Sequence, residues 1–366
     1  MLDDPRRPIP GARLAFAFLA ILFAAPAPVG VAGTSQAVGE RASAHARTAG
    51  EGRKPEAQWV EVERIVDGDT IHVRRAGRIE KLRLLSVDTE ERLGRGHSSS
   101  PTKPQTVYGE ETALWAEKLF ADLETEGGRL RIGLLFPGGA EARDVYGRLL
   151  CHVLLPDGTD YNLRLVRLGR SPYFNKYGND LLDHAAFVAA QAAARREKIG
   201  IWDPATNEAR TAGAPSAKRP YAKLLPWWNA RAVAVEAFRE RASKEPERVA
   251  DAEEPDTLAR AARSGHEVEV FGEIDRLFDE SDGSRTVLFR TSDAGRALRV
   301  RIPLASRGAH EALDWGSILR DFRQNYVWVR GRVGHGDRGF EMLSEGADRW
   351  RRAGPEPDLR APDRSK

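Results

Sequence analysis

Between Val66 and Arg92 the chain reads VDGDTIHVRRAGRIEKLRLLSVDTEER, and this stretch constrains the fold most. Asp67-Gly68-Asp69-Thr70 opens one extended segment, and Asp88-Thr89-Glu90-Glu91 closes another. Alternating apolar residues and a turn at Ala76-Gly77 lie between them, the pattern of paired strands. Two strands with acidic tips at one end of a small sheet would bring Asp69, Asp88 and Glu91 beside Arg83. Clustered carboxylates repel one another. A hard cation such as Ca²⁺ or Mg²⁺, held through oxygen, relieves that repulsion. A cation beside an arginine is a recurrent arrangement for a phosphate group. Asp-Gly alone marks only a hairpin turn, so the functional reading needs further motifs. Strict alternation also sets Arg83 and Asp88 on opposite faces of their strand, so a pocket requires a bend or bulge between them.

Composition narrows the class without naming a partner. With 366 residues the chain has room for about two domains. Its 57 basic and 54 acidic side chains give a net charge of +3, which neither demands nor excludes nucleic acid. The one cysteine, Cys151, rules out an intramolecular disulfide and a Cys/His zinc pattern, and reads as a core residue of a strand.

Along the chain, Arg6, Arg7 and Arg13 precede an apolar run from Leu14 to Ala25 and then small residues. Residues 1–37 therefore read as a secretory signal peptide, cleaved after Ala27, Ala32 or Ala37, or as an uncleaved anchor. The expected location is outside the cytoplasm, periplasmic or secreted, or anchored if the segment stays. Residues 38–57 read as a disordered linker. From Trp59 the pattern gives strands into Val66, at Ile71–Val73 and at Leu82–Val87. A loop from Leu93 to Val107 comes next and carries His97. A helix from Tyr108 presents Ala113, Trp115, Ala116, Leu119 and Phe120. Strands at Leu130–Phe136 and Leu149–Leu155 and helices at Tyr161–Leu168 and Leu181–Lys198 complete residues 58–204. Five strands with an inserted helix fit an OB-type barrel. Residues 205–264 read as a linker with an amphipathic helix around Trp227, Trp228, Ala230, Ala232, Val235 and Phe238, its part from Lys244 to Ser264 charged and exposed. Residues 265–350 carry strands at Val268–Val270, Val287–Arg290, Leu298–Ile302, Tyr326–Val333 and Gly339–Leu343, with a helix near Gly316–Phe322. That order gives a second, smaller OB-like barrel, and residues 351–366 a disordered tail. The expected class is mainly β with helices (α+β).

With DGDT, RLLSVDTEE and then DVYGR in that order, the segment from Trp59 to Trp202 resembles the staphylococcal-nuclease-like (thermonuclease) family. The resemblance implies an OB-fold nuclease hydrolysing phosphodiester bonds of DNA, and of RNA as a second substrate. It implies little sequence preference, one Ca²⁺ ion, and 5′-hydroxyl and 3′-phosphate ends. Carried over residue by residue, it makes Asp69, Asp88 and the Thr89 carbonyl metal ligands and Glu91 the general base. Arg83 and Arg148 become the phosphate-binding arginines, and Tyr173 and Tyr177 line the nucleotide pocket. Asp144 falls near the metal position or serves its own turn. The chain departs from the family at Glu90, where the pattern has a proline that would pre-set the backbone delivering Glu91. Two other readings stay open. One is a catalytically silent module binding nucleic acid or protein; the other is a structural component of the envelope. No protein partner is evident, and no stable membrane association is expected unless the N-terminal segment is retained.

Overall fold

The structure is a computed structural model and describes residues 55–94, 100, 102–124, 129–144, 146–208, 217–291, 293–318 and 325–354. The expectations for the N-terminal segment, and for His97, fall outside these residues.

Strands β1 (Gln58–Asp67), β2 (Thr70–Arg75) and β3 (Arg78–Leu84) form a meander. The β2–β3 turn is Ala76-Gly77, both at positive φ, which suits a tight two-residue hairpin. Helix α1 (Val107–Asp122) comes next, then β4 (Arg131–Leu135) and β5 (Leu149–Leu154). The five strands close in the order β1-β2-β3-β5-β4, with β3 and β5 parallel. Alternate residues Ile71, Val73, Leu82, Leu84, Ile132, Leu134, Leu149, Cys151 and Val153 fill the interior. At roughly 1.5–3 kcal/mol for each fully buried large aliphatic side chain, this apolar interior holds the barrel together and leaves its end free for charges. Cys151 is buried in it, as expected. Helices α2 (Tyr161–Arg167) and α3 (His184–Arg196) start at the side chains of Asp160 and Asp183, which accept from the Leu163 and Ala186 amides.

Helix α4 (Tyr221–Lys244) is longer than the amphipathic segment expected and is buried on two sides. Leu224, Leu225 and Trp228 pack with Phe174 and Trp202 of the first unit. Ala234, Val235 and Phe238 pack with Phe271, Tyr326 and Trp328 of the second. Between them the fully buried Arg231 pairs with Glu273 at 2.9 Å and lies 3.8 Å from the Tyr326 ring centroid. The linker reading of residues 205–264 is therefore corrected at its C-terminal part. Strand β6 (Val249–Asp251) and helix α5 (Pro255–Ser264) are structured, and Val249, Ala250, Leu258 and Ala261 are buried. The charges around them hid a short parallel strand and a helix with proline in its first turn, ended by Gly265 at positive φ.

The second unit continues with β7 (Glu267–Asp279), β8 (Arg285–Phe289) and β9 (Leu298–Ile302). Two short helices, α6 (Arg307–His310) and α7 (Trp315–Ile318), come after them. Then come β10 (Tyr326–Arg332), β11 (Gly334–Gly336), β12 (Gly339–Leu343) and β13 (Trp350–Arg352). The sheet runs β11-β12-β9-β8-β7-β10-β13, with β6 alongside β7. Its β12-β9-β8-β7-β10 path repeats the strand order of the first barrel, but among the described residues no ladder joins β10 to β12. The second OB-like unit is thus an open sheet. The expected disordered tail is corrected at its start: Arg351 and Arg352 lie in β13, paired to β10.

Candidate active site

The β1–β2 turn holds Gly68 and Asp69. The Asp69 amide donates to Asp67 Oδ1 at 3.0 Å, fixing the turn and burying the Asp69 carboxylate at the barrel end. Arg83 stands opposite Thr70 in the β2–β3 register. The bend required between Arg83 and Asp88 is present. After β3 the chain turns at Ser86, whose φ is +63°, before Val87 bridges Tyr173. A non-glycine residue there costs on the order of 1–3 kcal/mol, a strain that clusters at functional sites. The turn brings Asp88 Oδ1 to 2.6 Å from one Arg83 nitrogen, while the other pairs with Asp69 Oδ1. The Thr89 amide donates to Asp69 Oδ2 at 2.8 Å. Arg83, Asp69 and Asp88 therefore meet, and Thr89 joins them through its amide rather than the carbonyl expected as a ligand.

Glu91 joins them through Lys103, whose Nζ lies 2.6 Å from Glu91 Oε1 and 3.0 Å from Asp88 Oδ1. Arg219 pairs with Asp88 Oδ2 and donates to the Asp88 carbonyl at 2.9 Å. These contacts set the electrostatics. Burial works against both aspartates. At Asp69 it is outweighed by Arg83 and Lys103, and at Asp88 by Arg219, Lys103 and Arg83, so both carboxyls sit below the usual range. Burial likewise opposes the Lys103 ammonium, but Asp88 and Asp69 raise it above its ordinary value. Asp67 is pushed up to about 7, first by burial and then by Asp69.

Arg148 is reached from the other side. Asp144 accepts from the amides of Tyr146 and Arg148 at 3.0 Å each and from Arg148 Nε at 2.7 Å. Asp144 therefore holds its own turn and the arginine on it. Arg83, Asp88, Glu91, Lys103, Tyr146 and Arg148 line one cleft of about 540 Å³, and Tyr177 and Arg239 line it too. Tyr173 does not line that cleft. It is buried, its hydroxyl accepting from the Asp180 amide at 2.7 Å and lying 2.8 Å from His184 Nδ1. The expectation for Tyr173 is corrected: its ring packs in the core of the first unit, 5.2 Å from the Phe187 ring. The exposed Tyr146, in the DVYGR motif itself, supplies a ring at the cleft, 5.5 Å from the Arg148 guanidinium.

Glu90 is not loose. Its Oε2 accepts from Thr106 Oγ1 at 2.6 Å and Asn207 Nδ2 at 2.7 Å, and its Oε1 from Tyr221 Oη at 3.0 Å. Thr106 also caps α1, accepting from the Gly109 amide at 2.9 Å. A Cβ on Gly109 would lie 2.1 Å from the Glu91 carbonyl oxygen, so glycine is what lets α1 approach this loop.

Asp69, Asp88, Glu91 and a nearby carbonyl are donors of the kind that hold a hard divalent ion. As arranged they do not hold one. Asp69 and Asp88 are both engaged by the protein's own cations, and the Lys103 ammonium stands between Asp88 and Glu91. Among the described residues no three His, Cys, Asp or Glu side chains are set to bind an ion. Sequence reasoning missed Asp67, Lys103, Tyr146 and Arg219. Of these, Asp67 and Tyr146 lay within motifs already singled out.

The Staphylococcal nuclease homologue profile matches residues 81–204, from within β3 to just past the turn at Gly200–Trp202. Endonuclease YhcR of Bacillus subtilis is 32% identical over 144 residues, 39% of this chain but only 11% of that protein. Thermonuclease of Staphylococcus intermedius is 29% identical over 147 residues, 39% of this chain and 74% of the relative. An uncharacterized endonuclease of Escherichia coli O157:H7 is 30% identical over 144 residues, 39% of this chain and 76% of that protein. Each alignment thus spans about two fifths of this chain. With the closed barrel and the convergent motif residues, these matches mean that the chain belongs to the staphylococcal nuclease homologue family.

Proposed function

We propose that this chain is a nuclease that hydrolyses phosphodiester bonds of DNA, and of RNA, in the cleft of Arg83, Asp88, Glu91 and Arg148. The observation that carries the reading is that four polar residues spread from 83 to 148 line one cleft of about 540 Å³, with Asp69 bonded to the first of them. In-line hydrolysis needs a positioned water and neutralised phosphate oxygens. Glu91 is the group to take the water's proton. Arg148 and Arg83, which line the same cleft, are the groups to meet the phosphate, their planar forks suited to paired oxygens. Tyr146 and Tyr177 offer ring faces to the bases. The names of the related nucleases and thermonuclease support this class of reaction. Dependence on a divalent ion, calcium in particular, belongs to the proposal and requires the Lys103 ammonium to leave Asp88 and Glu91 and Arg83 to release Asp69. Export is likewise proposed from the basic and apolar N-terminal sequence. N-terminal sequencing of the protein recovered from fractionated cells checks it, and a full-length cytoplasmic product rejects it.

The second reading, a silent binding module, is favoured by one observation: the carboxylates are already neutralised by lysine and arginine. Incubating the protein with single- and double-stranded DNA, with calcium and then with chelator, separates the two. Digestion that stops in chelator, and falls about 10²- to 10⁴-fold in Glu91→Gln, supports hydrolysis. Arg148→Ala should fall with it. Undiminished cutting by both variants rejects the roles given, and no cutting by the parent with any divalent ion favours the binding module.

A further inference from the structure

Arg219 and Tyr221 lie beyond residue 204, where the family match ends, yet both reach the loop that carries Asp88 and Glu91. Arg219 is buried. It touches that loop twice, through the Asp88 carboxylate and, at 2.9 Å, through the carbonyl of the same residue. Its Nε donates to the Thr102 carbonyl at 3.0 Å, next to Lys103. The guanidinium is backed by Tyr221 and Trp228, 5.6 and 5.3 Å from the ring centroids, so α4 holds it in place. Two residues further along from Arg219, Tyr221 donates to Glu90. Charge balance alone does not explain Arg219. Asp88 already faces Arg83 and Lys103, and a third buried cation adds desolvation cost. What Arg219 adds is geometry, because a rigid fork bonded to a side chain and to its own backbone carbonyl fixes both.

We propose that Arg219, assisted by Tyr221, is a positioning residue of the nuclease site, holding the Asp88–Glu91 loop in register with Asp69 and Arg83. The site is then complete only with α4 docked, although α4 lies outside the family's matched region. The inference deepens the nuclease reading and rests on it for its catalytic consequence. Arg219 acts through Asp88, and no contact with substrate is assigned to it.

The test uses the full chain with Arg219→Ala, Arg219→Lys and Tyr221→Phe. Hydrogen exchange of the amides from Val87 to Arg92 reports the loop. Single-turnover cleavage of a DNA oligonucleotide and its binding in chelator separate rate from affinity. Arg219→Ala should speed exchange in the loop while β1 to β5 keep their protection. It should slow cleavage about 10- to 100-fold, the usual cost of losing a partner that orients a side chain of a site. DNA binding should change little. Lysine restores only part of the rate because it lacks the fork, and Tyr221→Phe shows a smaller loss of the same kind. Parental exchange in the loop, or a loosened loop that cuts at the parental rate, overturns the proposal. If Arg219→Ala does not fold, the lysine and phenylalanine variants decide by the same two readouts. If the parent cuts no DNA, the nuclease reading fails, and the exchange arm still decides whether Arg219 holds the loop.

Discussion

The two β units share one strand path and one ion pair, with opposite results. In the first, Asp69 of the β1–β2 turn pairs with Arg83 of the third strand, which stands opposite Thr70 in β2 and Leu150 in β5. In the second, Asp282 of the β7–β8 turn pairs with Arg301 of the third strand, which stands opposite Thr286 in β8 and Leu343 in β12. The arginine and aspartate side chains are 15% and 2% exposed in the first unit, and 57% and 50% in the second. The strand path therefore supplies the pair but not the site. Burial comes from the segment after the third strand. In the first unit this is a loop carrying Asp88, Glu91 and Lys103, covered by Arg219; in the second it is Pro303 and an exposed Leu304. A desolvated charge must be partnered, and that demand draws further carboxylates and cations together. An exposed pair makes no such demand.

The largest effect should come from removing the two arginines. Arg83→Ala takes the ion-pair partner from buried Asp69, while Asp88 keeps Lys103 and Arg219, and should cost about 3–5 kcal/mol in urea unfolding, besides abolishing cleavage. Arg301→Ala should cost less than about 1 kcal/mol and leave cleavage intact. Equal costs would break the contrast.

Two glycines, one from each unit, differ in what lies against them. A Cβ on Gly109 meets the Glu91 carbonyl at 2.1 Å, which is backbone, whereas one on Gly331 meets the Met342 sulfur at 2.7 Å, at the end of a flexible side chain. Gly109→Ala should cost about 1–3 kcal/mol and displace the Asp88–Glu91 loop, seen as slower cleavage. Gly331→Ala should cost less, because Met342 can re-pack.

How much of this was legible in the sequence differs by residue. The Asp-Gly turn, the alternation into β3 and the core of β5 come from local pattern, because hairpins and half-buried strands are set by neighbours two residues apart. The turn at Ser86 was inferable only as a necessity, since serine carries no left-handed signature. Arg219 was invisible: it contacts Asp88 across 131 residues of chain, from a polar stretch that reads as linker. Glu90 read as a looser substitute for proline, because its three donors come from residues 106, 207 and 221. Tyr173 was expected to line the nucleotide pocket because the resemblance gives its place along the chain but not which way its ring faces. The short strand β6 failed for a related reason: Val249–Asp251 is too brief to show a period among charged neighbours.

Buried ion pairs in the two regions should also answer differently to pH. In the first unit His152 stands between Asp160 at 2.9 Å and Asp180 at 2.8 Å. Burial opposes its charge, but Asp180 and Asp160 raise its pKa from the ordinary 6.5 to about 10. A folded value above the unfolded one means stability that is full below 6.5 and lost as pH rises through about 10. Each pH unit within that window should cost at most about 1.4 kcal/mol. The buried pair of Arg231 and Glu273 has no such window, since arginine stays charged throughout. Urea midpoints measured from pH 7 to 9 should therefore fall in the parent and flatten in His152→Gln, while Arg231→Gln lowers them without changing the slope.

The smallest expected effect is on ion affinity, and it bears on whether the buried cluster is a site at all. The Lys103 ammonium holds the position between Asp88 and Glu91 that the proposed cation would take. Lys103→Met removes a like charge from that position while keeping the length of the side chain. At about 4 Å such a charge is worth at least about 1 kcal/mol even in water, so the calcium concentration for half-maximal cleavage should fall by at least about five-fold. Arg301→Met, which frees only an exposed carboxylate, should leave that concentration unchanged. A Lys103→Met protein with the parental calcium requirement would mean that the ion does not enter between these carboxylates. Lys103 would then be the permanent counter-charge of the cluster, and the first unit would differ from the second only in how deeply its charges are buried.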